Sequence, residues 1–146
     1  MNQKAEKFSE MLKHLPDDNV FEMREVEDDK DHLVLFRSSL EVKKEWYLPM
    51  VVFVDDTIYT IVRVWVMTDV VNDENRDRVR ACLMEMNRRY KVFKYYDTEQ
   101  GDIVLDACLP DSAENFDPEG VAVIIDVLWD HLKEQYETVE KAAKGE

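Results

Sequence analysis

Glycine is almost missing from this chain. Its three glycines, Gly101, Gly120 and Gly145, stand alone, whereas loops that cradle phosphates need clustered glycines so that the backbone can approach the anion. A nucleotide-binding P-loop and a dinucleotide fold are therefore excluded, and no G-x-S-x-G nucleophile elbow occurs. Cysteine is equally scarce. Cys82 and Cys108 are the only two, with no second thiol or histidine at metal-ligand spacing, and both read as reduced, mostly buried small apolar residues. His14, His32 and His131 lie far apart in sequence and read as surface or half-buried side chains rather than metal ligands or catalytic bases. Positive charge is the third shortage. Lys and Arg number 19 against 33 Asp and Glu, which gives a net charge of -14 and a pI of about 4.6. Such a chain repels phosphate backbones and anionic lipid surfaces, so neither nucleic acid nor membrane is an expected partner. No apolar run approaches the length of a membrane span, and the opening MNQKAEKFSEM lacks the hydrophobic core of a signal peptide. The expected compartment is the cytoplasm.

What the chain does have is enough apolar material for one core. Its 146 residues are 45% apolar and 36% charged, the composition of a folded domain, and no repeat or low-complexity linker divides them. One domain over residues 1–146 is expected. Ala5, Phe8, Met11, Leu12 and Leu15 recur at helical spacing and predict a first helix over residues 3–15, ended by Pro16 with Asp17, Asp18 and Asn19. Residues 20–26 are extended in character, and a polar turn over 28–31 leads to a second strand centred on Leu33, Val34, Leu35 and Phe36. Residues 41–45 read as a charged connection. A strand over 46–54 contains Pro49, which suggests an edge position or a bulge because proline cannot donate to a ladder. After the turn at Asp55-Asp56 comes the longest β-prone run, residues 57–67. Short polar turns between four strands argue for an antiparallel meander.

The fourth strand is apolar on both sides. Ile58, Val62, Val64 and Val66 point one way; Tyr59, Ile61, Trp65 and Met67 point the other, interrupted by Arg63. A strand with one wet face alternates more cleanly, so the second face is expected to be covered by a helix or by another chain. Beyond it, Val79, Leu83, Met86 and Tyr90 draw the stripe of a central helix, with capping candidates among residues 72–75. Phe93, Tyr95 and Tyr96 begin a hairpin that turns at residues 99–102 and returns over 103–109. Asp117-Pro118-Glu119 opens a last helix with a capping carboxylate, a proline at the first position and an acid near the positive end of the dipole. Val121, Ile124, Ile125, Leu128, Leu132, Tyr136 and Val139 give it a broad apolar face, and residues 141–146 are expected to fray. The order α-ββββ-α-ββ-α, helices flanking an antiparallel sheet, defines an α+β domain.

Catalytic chemistry finds no foothold. Asp17-Asp18, Asp28-Asp29 and Asp55-Asp56 sit where turns belong, and none has calcium-loop spacing. No catalytic residue, metal ligand or cofactor is expected. Adhesive features are more evident. Residues 76–94 carry a net +5 while the rest of the chain carries -19. Most of these arginines are expected to pair with the protein's own acids, and Arg80 and Arg88 are the candidates for gripping an acidic partner. Core packing is the default for Trp46, Trp65 and Trp129. The doubled face of the fourth strand nevertheless makes Tyr59, Ile61 and Trp65 candidate anchors in an interface.

The stretch Leu83-Met84-Glu85-Met86-Asn87-Arg88-Arg89-Tyr90 resembles the leucine-rich, asparagine-bearing helix of the YbjN family of bacterial sensory transduction regulators. Phe93-Lys94-Tyr95-Tyr96-Asp97 and Gly101-Asp102-Ile103-Val104-Leu105 are similar to that family's hairpin, and Leu128, Leu132 and Tyr136 lie where it has its last helix. This resemblance implies a fold like that of type III secretion chaperones, which are small acidic cytoplasmic α+β proteins that commonly dimerise and bind partner segments. It supplies no catalytic residue. The long strand with Arg63 and Trp65 departs from the family pattern. Together these readings predict a non-enzymatic protein-interaction module, chaperone-like or regulatory and homodimeric, binding a partner protein or itself. The alternative is a small-molecule sensor with an aromatic-lined pocket between sheet and helices.

Overall fold

Alternation along four successive segments, each closed by a short polar turn, commits the first half of the chain to a meander before any long-range contact is needed. A computed structural model describes residues 1–16 and 20–146; the expected stop at Asp17, Asp18 and Asn19 lies outside the described residues. The elements are α1 (Gln3–Leu12), β1 (Glu22–Glu25), β2 (Val34–Lys43), β3 (Trp46–Val54), β4 (Tyr59–Met67), α2 (Arg76–Arg89), β5 (Lys94–Asp97), β6 (Ile103–Pro110) and α3 (Pro118–Lys144). All six strands are antiparallel in one sheet of order β1-β2-β3-β4-β6-β5. This is the expected α+β architecture in the expected order.

The helices gather on one side of that sheet. Val34, Phe36, Leu40, Leu48, Met50, Val52, Val54, Val62 and Val64 alternate inward and share one core with Phe8 of α1, Leu83 of α2 and Leu128 of α3. Asn2 starts α1 by accepting from the Ala5 amide at 2.8 Å, and its amide nitrogen donates to the carbonyls of His32 and Val54. One side chain thus caps the helix and fastens it to the sheet. Asn75 does the corresponding work for α2. It makes no side-chain cap, but donates to the carbonyls of Val70 (2.7 Å) and Ala143 (3.0 Å), tying the start of α2 to the end of α3. Arg78 donates to the carbonyl of Ala142 at 2.6 Å, and Gly145 closes α3 with φ 79. Those contacts hold the last turn where the sequence suggests fraying: α3 runs to Lys144, and Ala143 is buried.

Three other boundaries differ from expectation. α1 stops at Leu12 rather than residue 15. The charged connection over 41–45 is mostly strand: β2 continues to Lys43 through a register shift at Glu41/Lys43, and Glu45 takes φ 61 in the tight turn. Pro49 lies in an interior strand, not at an edge. Its missing N–H is accommodated because the Met50↔Val64 pair is the last rung of the β3–β4 ladder, so no β4 partner is deprived of a bond.

Gly101 is the one glycine that the turn chemistry demands. It holds φ 84, and a Cβ there would sit 2.8 Å from the Val71 carbonyl oxygen. Its own carbonyl accepts from the amides of Val70 and Val71. Gly101→Ala is expected to cost about 2–3 kcal/mol, combining left-handed strain with a clash against backbone that cannot swing away. Urea denaturation measures it, and a loss below about 0.5 kcal/mol would contradict this account of the turn.

Candidate functional site

Among the described residues no helix lies over the second side of the sheet. Cross-strand register puts Leu35, Val51, Phe53, Ile61, Trp65 and Val104 together there, and none belongs to the core that the helices enclose. Phe53 faces Leu35 on one flank and Ile61 on the other, while Trp65 faces Val104. The result is an apolar band across four neighbouring strands, mostly half-buried, with the connection over residues 91–93 bordering it beside Phe53 and Ile61. Tyr59, 54% exposed, stands at one end of it.

A charged knot interrupts the band. Arg63 donates to both oxygens of Asp106, at 2.8 Å from Nε and 2.9 Å from Nη2, and its guanidinium lies 5.0 Å from the Phe53 ring centre. Tyr96 donates its hydroxyl to Asp106 Oδ2 at 3.0 Å. Asp106 is only 5% exposed, so its charge depends on this fork and hydroxyl for solvation. The bonds to Asp106 raise the Arg63 pKa, chiefly through the hydrogen bonds themselves, and burial raises that of the Tyr96 phenol. By register this side also carries Arg24, Arg37 and Lys94, with Glu22 opposite Arg37 and Glu41 opposite Tyr47. Four cations therefore stand against three anions, on a chain whose net charge is -14.

Tyr59, Ile61 and Trp65 are brought together on this open side, as neighbours on β4. Arg80 and Arg88 are not with them. Both belong to α2, in the helical layer. Arg80 is held by Asp97 of β5 through Nε (3.0 Å) and Nη2 (2.9 Å), and Arg88 reaches Glu85 at 4.0 Å. Arg76 pairs with Asp73 at 2.6 Å. None of the three tryptophans is fully buried: Trp65 and Trp129 are half-buried, and Trp46 is 48% exposed with Nε1 donating to Tyr136 Oη. Cys108 is exposed on the open side, rather than buried, because it shares the register of Ile61. Sequence reasoning missed Val51, Phe53 and Asp106. The alternation of Val51 and Phe53 against Met50, Val52 and Val54 is a signal for the first two. An acid inside the apolar run Ile103-Val104-Leu105-Asp106 is a signal for the third.

A second concavity lies on the helical side. β1 pairs with β2 only as far as Arg37, so from Ser38 onward the outer edge of β2 has no strand paired to it among the described residues. Between that edge, α1 and the first half of α3 opens a cleft of about 590 Å3. Phe8, Leu40 and Met50 form its buried base, and Ile125 and Trp129 its α3 wall. Trp129 is fixed by donating Nε1 to the Glu41 carbonyl at 2.7 Å, while Lys133 covers its ring at 4.3 Å. Among the described residues Glu41 and Asp126 are the charged members of the lining, and no lysine or arginine joins them.

In the helical layer His131 of α3 is a buried titratable group. Tyr95 Oη lies 2.6 Å from its Nε2, and the rings of Tyr90 and Phe93 lie 4.4 and 4.6 Å from the imidazole. Burial first, and Arg89 second, push its pKa down to about 4. Among the described residues no three His, Cys, Asp or Glu side chains converge on a possible metal position, and no helix is long and apolar enough to cross a membrane. No protein-family model matches the chain, and no curated protein matches it.

Proposed function

We propose that the chain is a non-enzymatic protein-interaction module, regulatory or chaperone-like, whose docking surface is the helix-free side of the sheet. One observation carries this reading: among the described residues, an apolar band spanning four strands has no helix over it. Contiguous apolar area of that kind is where desolvation on contact supplies affinity. The occupant favoured by charge is a second copy of the chain. Two molecules at -14 repel one another over most of their surface. The band, its rim near neutrality, is where that repulsion is weakest, and Tyr59, Ile61 and Trp65 are its anchors. A cytoplasmic homodimer of the YbjN type agrees with this reading, which gives Arg80 and Arg88 no more than a peripheral part.

Analytical ultracentrifugation tests it. Wild type is expected to sediment as a dimer, and Ile61→Lys as a monomer with an unchanged far-ultraviolet circular dichroism spectrum. A lysine in the middle of a desolvated patch costs association about 2–4 kcal/mol. A monomeric wild type that still captures a protein partner, lost on Ile61→Lys, would assign the band to that partner instead. A monomer with no partner affected by Ile61→Lys would end the proposal.

The sensor reading also has an observation in its favour, namely the aromatic cleft between sheet and helices. Its size falls within the range of about 300–1,000 Å3 usual for small-molecule sites. The two readings are compatible, since band and cleft lie on opposite sides of the sheet.

A further inference from the structure

We infer that the cleft between α1, α3 and the outer edge of β2 is a binding site for an organic cation, a compound with an apolar body and an ammonium or similar head. This rests on the sensor reading of the cleft and adds the class of ligand. Shape and lining give the apolar half of the argument. Phe8, Leu40 and Met50 are almost wholly buried beneath the opening, so the base is already desolvated and rigid. Trp129 cannot turn away, because its indole N–H is committed to a main-chain carbonyl of β2. A site whose walls are held in this way loses little entropy when filled.

Charge gives the other half. Among the described residues two acids line the cleft: Asp126 stands on α3, and Glu41 borders it at the edge of β2 with its carboxylate turned to the Tyr47 hydroxyl. Lys133, the nearest base to Trp129, stacks over the indole but is not part of the lining. The Glu41 carbonyl is occupied by the indole. An anionic head meets the Asp126 carboxylate and no counter-charge in the described lining. A neutral head gains the hydroxyls of Ser38, Ser39 and Tyr47, the first already donating to the Val20 carbonyl and the last turned to the Glu41 carboxylate. A cationic head gains the Asp126 carboxylate together with the faces of the aromatic rings.

Isothermal titration with three probes of equal chain length tests the assignment: an alkyltrimethylammonium, the corresponding alcohol and the corresponding carboxylate, each below its micelle concentration. Expected is saturable one-to-one binding of the ammonium, about tenfold weaker binding of the alcohol, and none of the carboxylate. Asp126→Lys, a change at an exposed position that leaves the fold intact, is expected to weaken the ammonium about tenfold and leave the alcohol alone. Ile125→Trp is expected to fill the cleft and abolish both. Equal affinity for ammonium and alcohol would overturn the cationic assignment while leaving the sensor reading standing. Failure of all three probes, or binding indifferent to Ile125→Trp and to Asp126→Lys, would overturn both.

Discussion

Truncating Phe8 to alanine is expected to cost about 3–4 kcal/mol of folding stability and to lower the melting temperature by roughly 10 °C. Phe8 is wholly buried at the contact of α1 with the sheet. Its ring meets Phe36 edge-on with centres 4.8 Å apart, and meets Phe21 edge-on at 5.9 Å. The loss therefore combines transfer of an aromatic side chain, two edge-to-face contacts and the void left behind. Because α1 is short, it has no independent stability to fall back on and stays helical only while docked. Hydrogen exchange should accordingly rise across the whole of α1, not at residue 8 alone. A cost under about 1 kcal/mol, or exchange in α1 unchanged, would mean that the Asn2 cap rather than Phe8 holds this helix to the sheet.

Much of this packing is legible in the residues. Helical spacing picks out Phe8, Val79, Leu83, Leu128 and Leu132, and all five are buried. Alternation along residues 57–67 separates Val62 and Val64, in the core, from Ile61 and Trp65, outside it. Local pattern says that two sides of β4 are apolar, but not which elements cover them. That depends on where the connections cross. Here α1, α2 and α3 all pack on the same side, so of the two expected covers of the other side, a helix or another chain, none of these helices is the one. The Arg63–Asp106 pair spans 43 positions and becomes visible only once β4 and β6 are in register. Pro49 misleads for a related reason. Its constraint is on one donor, and an interior strand satisfies it by ending one ladder at that residue. The cleft depends on β1 being four residues long against ten in β2, a boundary that local propensity sets least sharply.

Acidification from pH 7 to pH 4 is expected to remove about 3 kcal/mol of stability through His131 alone. The imidazole is 6% exposed, packed among Tyr90, Phe93 and Tyr95, and its pKa falls from 6.5 to about 4. Desolvation is the main cause, and the positive charge of Arg89 adds to it. The Tyr95 hydroxyl, 2.6 Å from Nε2, can donate to the neutral nitrogen or accept from the protonated one, so the cost of charging the ring lies in its desolvation and in the nearby Arg89 charge. As pH falls below 6.5 the unfolded chain takes up a proton that the folded chain refuses, so stability declines through the window from 6.5 down to 4. Above 6.5 both states are neutral at this residue, and its contribution is level. His131→Gln keeps an acceptor within reach of Tyr95 without the titration, so the stability difference between wild type and variant should shrink by that amount from pH 7 to pH 4. In parallel, the imidazole Cε1–H resonance of His131 should remain at its neutral position down to about pH 5. A midpoint near 6.5 would place the ring in water and remove the reason for the acid loss. A low midpoint with a stability difference independent of pH would show instead that the unfolded chain shelters the same histidine.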